Sequence, residues 1–446
     1  MKGLRRFLLG AAVWLALVPK APAIGPLQLP TASEAAVAQS EAARQKEVNK
    51  VTKYTLPPGR YKQARDLARI YSRMRFVGFF YGLAVLWLLL RWKISARLRN
   101  IAERVRVRFG QAAIFAVLLS LTIGFLDLPL GMYQHWISRQ FGLSVQGWAS
   151  WFRDAAKGEL LGWIPAVLFV WILYAVIRAS PRRWWFYFWL ASLPILLLLV
   201  FLQPLVVDPL FHKFEPLAQK DPALTESLER MVHRAGQSIP PERMFWMGAS
   251  EKTTALNAYV TGFGASKRIV VWDTTIAKMT TPQITYVAGH EMGHYVLQHI
   301  PKGLVLGAAF LLVPFYLGYR TVGWILSRWG ANWGVRELAD WASLPVLLLL
   351  LSVFAFLADP VVNGASRYLE HQADQYGLEV THGLTPDSGQ IAAQSFQVLG
   401  ETNLADPEPS RLKVWLFYDH PAIPDRVRFA LSYDPWSKGE QGEFVK

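Results

Sequence analysis

The sequence predicts a mainly α-helical polytopic membrane bundle interrupted by a split polar lobe, and three observations predict it. Of 446 residues, 52% are hydrophobic and only 18% charged, against about a quarter charged in ordinary soluble domains. Six long apolar runs, bordered by Arg and Trp, succeed one another along the chain. Two other stretches return to soluble composition. This balance excludes a disordered or fibrous protein. The formal charge of +15 sits largely beside the apolar runs, which points to a lipid bilayer as partner and not to nucleic acid. The chain contains no Cys, so disulfides and thiolate metal sites are excluded. A metal would have to sit on His and carboxylates.

Residues 1–23 carry a basic start (Lys2, Arg5, Arg6), an apolar core from Phe7 to Val18, and small residues at Ala21-Pro22-Ala23. They read as a signal peptide or as a first membrane helix. Residues 24–75 follow as a basic juxtamembrane arm, read as solvated rather than as helix lying along the membrane. The apolar runs are Phe76–Leu90, Ala112–Met132, Leu160–Ile177, Trp184–Val206, Gly303–Leu326 and Leu344–Val362. Most approach or reach the ~20 residues that cross about 30 Å of hydrocarbon. Residues 76–206 thus form a four-span region and 303–362 two further spans.

The polar lobe is divided between residues 207–302 and 363–446. Within its first part, Ala258–Phe263 and Arg268–Trp272 read as a hairpin around Gly264-Ala-Ser-Lys267. The side of the membrane follows from the basic loops. Arg91, Lys93, Arg97, Arg99, Arg104, Arg106 and Arg108 crowd one short loop, and short basic loops stay in the cytoplasm. Arg178, Arg182, Arg183, Arg320, Arg328 and Arg336 share that side if the spans alternate. The polar lobe is then exoplasmic.

The sharpest chemical signal is Tyr286-Val-Ala-Gly-His290-Glu291-Met-Gly-His294. Residues four apart share a helix face, so His290 and His294 can present two imidazoles to one ion. Glu291 stands beside the first ligand, placed to take a proton from water. Gly293 costs a helix about 1 kcal/mol relative to Ala, so a close neighbour is expected there. A catalytic zinc needs a third protein ligand and an open position. Glu370 and Asp374, one turn apart, supply a ligand and an acceptor for a ligand imidazole. His371 points about 100° away from Glu370 and ranks low as a ligand.

With these residues in view, the sequence resembles the type-1 CAAX prenyl endopeptidases, integral-membrane zinc metallopeptidases, and their bacterial relatives. The resemblance rests on Asp208-Pro-Leu-Phe-His-Lys-Phe-Glu-Pro-Leu217, Asn257-Ala-Tyr-Val-Thr-Gly-Phe, the His-Glu-x-x-His helix, Ser366-Arg-Tyr-Leu-Glu-His-Gln-Ala-Asp374 and His420-Pro-Ala-Ile-Pro-Asp-Arg426. It implies His290, His294 and Glu370 as ligands of one zinc per chain, with Glu291 as general base. It implies Asn257 and Ala258 as a strand that pairs with an extended protein or peptide substrate. His420 and Arg426 become donors toward the oxyanion.

The family fold it implies has seven membrane helices enclosing a chamber, with a zinc-protease lobe. The seventh would have to be the Phe7–Val18 run. The bearer would reside in a bacterial inner membrane, or in the ER or inner nuclear membrane of a eukaryote, and the family's active side is cytosolic, opposite to the loop-charge reading. A bacterial bearer would need substrates other than prenylated proteins, such as misfolded membrane proteins. The rival class is a non-enzymatic chamber protein for transport or folding, against which an intact Glu291 argues.

Overall fold

In the computed structural model, which describes residues 50–262 and 264–446, every expected apolar run lies inside a helix long enough to cross a bilayer. Hydrocarbon offers the backbone no hydrogen-bond partner, so such runs satisfy their amides internally as helix. The first is α1, Pro58–Arg91; a short amphipathic α2, Ile94–Ala102, lies across the end of the bundle. The next spans are α3, Arg108–Gln140, and α4, Trp148–Ala179. Then α5, Trp184–Leu202, runs through a π-helical turn at Gln203–Val207 and ends at Phe211. After a soluble segment holding α6, Pro222–Arg234, and α7, Thr281–Val296, come the last two spans, α8, His299–Trp333, and α9, Leu344–Thr381. Among the described residues there are six such helices. The candidate signal or seventh span at 1–23 lies outside them, as does Phe263.

Each span overshoots its apolar run, and the overshoot builds the lobe. α9 begins in the membrane run and continues through Glu370 and Asp374 to Thr381 without a break. Between the spans lies a cavity of about 600 Å³, lined mainly by apolar residues of α3, α4, α8 and α9 and by Asp127 and Glu159. At the far end, Arg99 of α2 forms a buried ion pair with Asp340 that pins the loop before α9.

The expected solvated arm requires correction. From Pro58 onward it is the outer part of α1, and Ala64 and Leu67 are buried against Ile137 and Leu404. Its charges misled because a charged side chain can pack against the fold where a partner meets it. Arg65, for example, leaves the water to pair with Asp406 at 3.0 Å.

The lobe contains a four-stranded mixed sheet: β1 Phe214–Pro216, β2 Met244–Met247, β3 Ala258–Thr261 and β4 Arg268–Trp272, in the order β1-β2-β4-β3. The expected hairpin is the antiparallel β3–β4 pair, with Ala258 opposite Val271. β3 is therefore an edge strand. β3 packs on α7, which also meets α6 and a later helix, α10 (Ser388–Thr402); α10 in turn packs on the C-terminal α12 (Ile423–Ser432), with α11 (Arg411–Phe417) between them in sequence. Leu228, Met244, Ile269, Met292, Phe396 and Val427 fill this core.

Candidate metal centre

α7 starts where its sequence dictates. Thr280 caps it in a reciprocal box with Gln283, and Pro282 occupies the first turn, where a missing amide costs nothing. The helix runs through the lobe core and is buried on nearly every face from Gln283 to Gly293. Such burial demands close packing against α9, and small residues supply it. A Cβ on Gly293 would stand 3.0 Å from Tyr376 and 3.2 Å from Ala373 Cα. One on Gly377 would approach the His290 backbone at 3.1 Å. The neighbour expected at Gly293 is thus α9 itself, and this contact brings Glu370 to the two histidines.

His290, His294 and Glu370 form the only cluster of potential metal-binding groups among the described residues, with their ligand atoms within 4.8 Å of one another. His290 Nε2 and His294 Nε2 lie 3.2 Å apart, and each is 3.4 Å from a Glu370 carboxylate oxygen. Glu370 Oε2 is buried without a hydrogen-bond partner. Three converging N and O donors around an orphaned carboxylate oxygen fit a cation between them. The electrostatics agree. Burial disfavours an imidazolium at His290, yet the Asp374 carboxylate, accepting at Nδ1, and the Glu370 carboxylate beside Nε2 outweigh it and push its pKa up to about 9. The pocket is built to hold positive charge at this point.

Asp374 stands where the sequence suggested, 2.9 Å from His290 Nδ1, its side chain 1% exposed. Arg426 does not stand as expected. Its Nε and Nη2 both donate to Asp374, at 2.9 and 2.5 Å, and its guanidinium lies over the Phe396 ring. A planar fork facing a buried carboxylate satisfies both charges at once, so Arg426 is turned away from an oxyanion role and holds Asp374 in place. His420 Nε2 lies 3.4 Å from Glu370 Oε1. Its hydrogen bond to Asp419 comes first among the effects that keep its pKa above the ordinary histidine value. Glu291 lines a cavity together with His290, His420 and Arg426, and burial raises its carboxyl pKa. His371 packs on Phe429 instead, away from the cluster.

Asn257 also lines this cavity of about 540 Å³. Its carbonyl accepts from Trp272 of β4, so strand alternation turns the Ala258 amide toward the free edge. One residue escaped the sequence reading. His299, 4% exposed, places its Nδ1 3.1 Å from Nδ1 of His294. The signal was a third histidine five residues beyond the second, but helical spacing argues against a shared face. A turn with Gln298 at φ 58 folds it back.

Fold and site together define a membrane-embedded metallopeptidase: long apolar helices carrying a His-Glu-x-x-His helix closed by a distant glutamate. Comparison with known proteins agrees. Residues 218–434 match peptidase family M48, and residues 39–213 match the CAAX prenyl protease N-terminal family of five membrane helices. The Bacillus subtilis metalloprotease YhfN is 37% identical over 82% of this chain and 84% of its own. CAAX prenyl protease 1 of Saccharomyces cerevisiae is 25% identical over 84% of this chain and 86% of its own. The crystal structure of S. mikatae Ste24p shares the fold, with a TM-score of 0.71 and 23% identity over 90% of this chain and 97% of that one. The chain belongs to peptidase family M48, among the CAAX prenyl protease relatives, and is an integral membrane metalloprotease that acts on peptide or protein. Membership sets aside the non-enzymatic chamber reading.

Proposed function

We propose that the chain is a zinc-dependent endopeptidase that cuts membrane-associated proteins beside the bilayer. The observation that carries this is the convergence of His290, His294 and Glu370 on one another, with His290 and Glu291 lining the adjoining cavity. Two imidazoles and a carboxylate, without thiolate, form a donor set suited to catalytic zinc. Zinc, when bound, would polarise the scissile carbonyl and make the attacking water acidic near neutral pH.

The chain's own residues do the rest. Glu291 takes the proton from water and passes it to the leaving amine. His420 donates toward the carbonyl oxygen as negative charge gathers there. Asp374, held by Arg426, fixes the His290 ring through its Nδ1–H. Asn257 and Ala258 on the edge strand pair with an extended substrate. The chain resides in a bacterial inner membrane, with the lobe exoplasmic on the strength of its loop charges.

The test is metal content alongside turnover. Purified protein should hold about one zinc per chain. Glu291→Gln should keep the zinc and lose peptidase activity, while His290→Ala or Glu370→Ala should lose both. Wild-type cleavage by Glu291→Gln would remove the base assignment.

A further inference from the structure

We infer that Thr275 is a positioning residue for the substrate strand: its hydroxyl grips both backbone groups of Asn257 and so fixes the start of β3 beside the metal cluster. This role rests on the reading of Asn257 and Ala258 as the substrate-pairing edge, and it names the side chain that holds that edge. The ladder between β3 and β4 runs out at its Asn257 end. β4 stops at Trp272, and the chain turns into a short helix, Asp273–Lys278. Trp272 still donates its amide to the Asn257 carbonyl at 3.1 Å. The Asn257 amide donates to Thr275 Oγ1 at 2.8 Å, and the same hydroxyl donates to the Asn257 carbonyl, also at 2.8 Å. A hydroxyl can close both bonds because it is donor and acceptor at once.

The two residues before Thr275 do a different job. Asp273 accepts from the amides of Ala249 and Ser250 at 2.9 and 3.0 Å, and Thr274 Oγ1 donates to the Ala255 carbonyl at 2.7 Å. Both hold the loop that approaches β3, whereas Thr275 holds the entry of the strand itself. With both Asn257 groups turned to this side, strand alternation sends those of Ala258 to the other. Thr275 is fully buried, so water does not readily replace its hydroxyl, and an Asn257 amide stripped of its acceptor would shift toward another partner. The strand start would move with it. Asn257 and Thr275 line the same cavity as His290 and Glu291, so that movement would be felt by a peptide paired to the edge. The metal cluster stands on α7 and α9 and does not depend on the grip.

The test uses the full-length protein in phospholipid vesicles and a quenched fluorogenic peptide that the wild type cuts and Glu291→Gln does not. Thr275→Val keeps the side-chain shape and removes the hydroxyl. The expected result is a KM raised roughly fivefold to tenfold, the worth of one hydrogen bond, with kcat and zinc content held. Thr275→Ser returns the hydroxyl and should bring KM back to within about twofold of wild type. Thr274→Val, which loses only the bond to Ala255, should leave KM in place. An unmoved KM in Thr275→Val, where Ala258→Pro raises it, would overturn this role and leave edge pairing intact. An unmoved KM in both would remove the pairing and this role together. A rise shared by Thr274→Val, a rise that Thr275→Ser does not recover, or a loss of zinc would assign the hydroxyl to folding and overturn the role. If Thr275→Val does not accumulate in membranes, the smaller Thr275→Ala carries the same test, and failure of both to fold would overturn it likewise. Absence of Glu291-dependent cleavage of any peptide would overturn the peptidase reading and this role with it.

Discussion

The Nδ1 atoms of His294 and His299 lie 3.1 Å apart, so the second histidine of the His290–His294–Glu370 cluster is steadied by the first residue of a membrane span. His290 leans on a charged carboxylate, Asp374, whereas His294 leans on an imidazole. The two ligands thus differ in their supports, although the sequence spaces them symmetrically about the helix.

If His294 binds metal through Nε2, its Nδ1–H donates to His299. Replacing His299 by Leu should weaken zinc retention about 10–100-fold in chelator competition, the usual cost of losing such a partner. His299→Asn keeps an acceptor oxygen and should recover most of the loss. Unchanged retention in His299→Leu would assign that residue to packing alone.

Gly293 should tolerate no larger side chain. Its missing Cβ lets Tyr376 and Ala373 approach to 3.0 and 3.2 Å of where a methyl group would sit. Gly293→Val would wedge α7 from α9 and carry Glu370 away from the histidines. The expected outcome is a protein that still enters membranes, holds well under one zinc per chain and melts earlier, with overpacking costing about 1–3 kcal/mol. Full zinc occupancy would show that the seam can yield.

The edge-strand assignment makes a kinetic prediction. Ala258→Pro removes an outward amide while the Asn257 carbonyl keeps its bond to Trp272, so peptide KM should rise several-fold with zinc content unchanged. Unaltered KM and kcat would place substrate pairing elsewhere.

Asp406 links α1 to the lobe through Arg65 at 3.0 Å and Lys413 at 2.8 Å. Burial works to raise its pKa, but hydrogen bonds from Lys413 and Arg65 prevail and hold it below the ordinary aspartate value. A depressed folded pKa contributes stability that is complete above the unfolded value, near pH 4, and is lost as pH falls through the folded one. Asp406→Asn should therefore cost about 2 kcal/mol at pH 7. Its Tm gap from wild type should narrow below about pH 4. A gap that stays constant as the pH is lowered would mean the pair contributes no ionic stabilisation.

Orientation is open to a single label, because the chain has no native Cys. Ser437 is exposed in the lobe. Ser437→Cys should react with an impermeant maleimide added to intact cells if the lobe is exoplasmic. Reaction only after lysis would put the metal centre in the cytoplasm.

By itself the sequence determined what depends on local pattern. Unbroken apolar runs must form internally bonded helix in hydrocarbon, so the six spans were legible one by one. The His290–His294 spacing and the strand alternation at Ala258–Thr261 are likewise local, since helix and strand periods decide which side chains share a face. The tertiary structure alone decided what depends on residues distant along the chain. Arg426 carries no sequence mark telling an oxyanion donor from a clamp; its direction is set by Asp374, 52 positions away in sequence. The arm before Arg75 reads as solvated because charge is counted along the chain, while burial is settled by whichever face meets Ile137 and Leu404. His299 violates the helical period, and a turn at Gln298, which no pattern announced, returned it to His294.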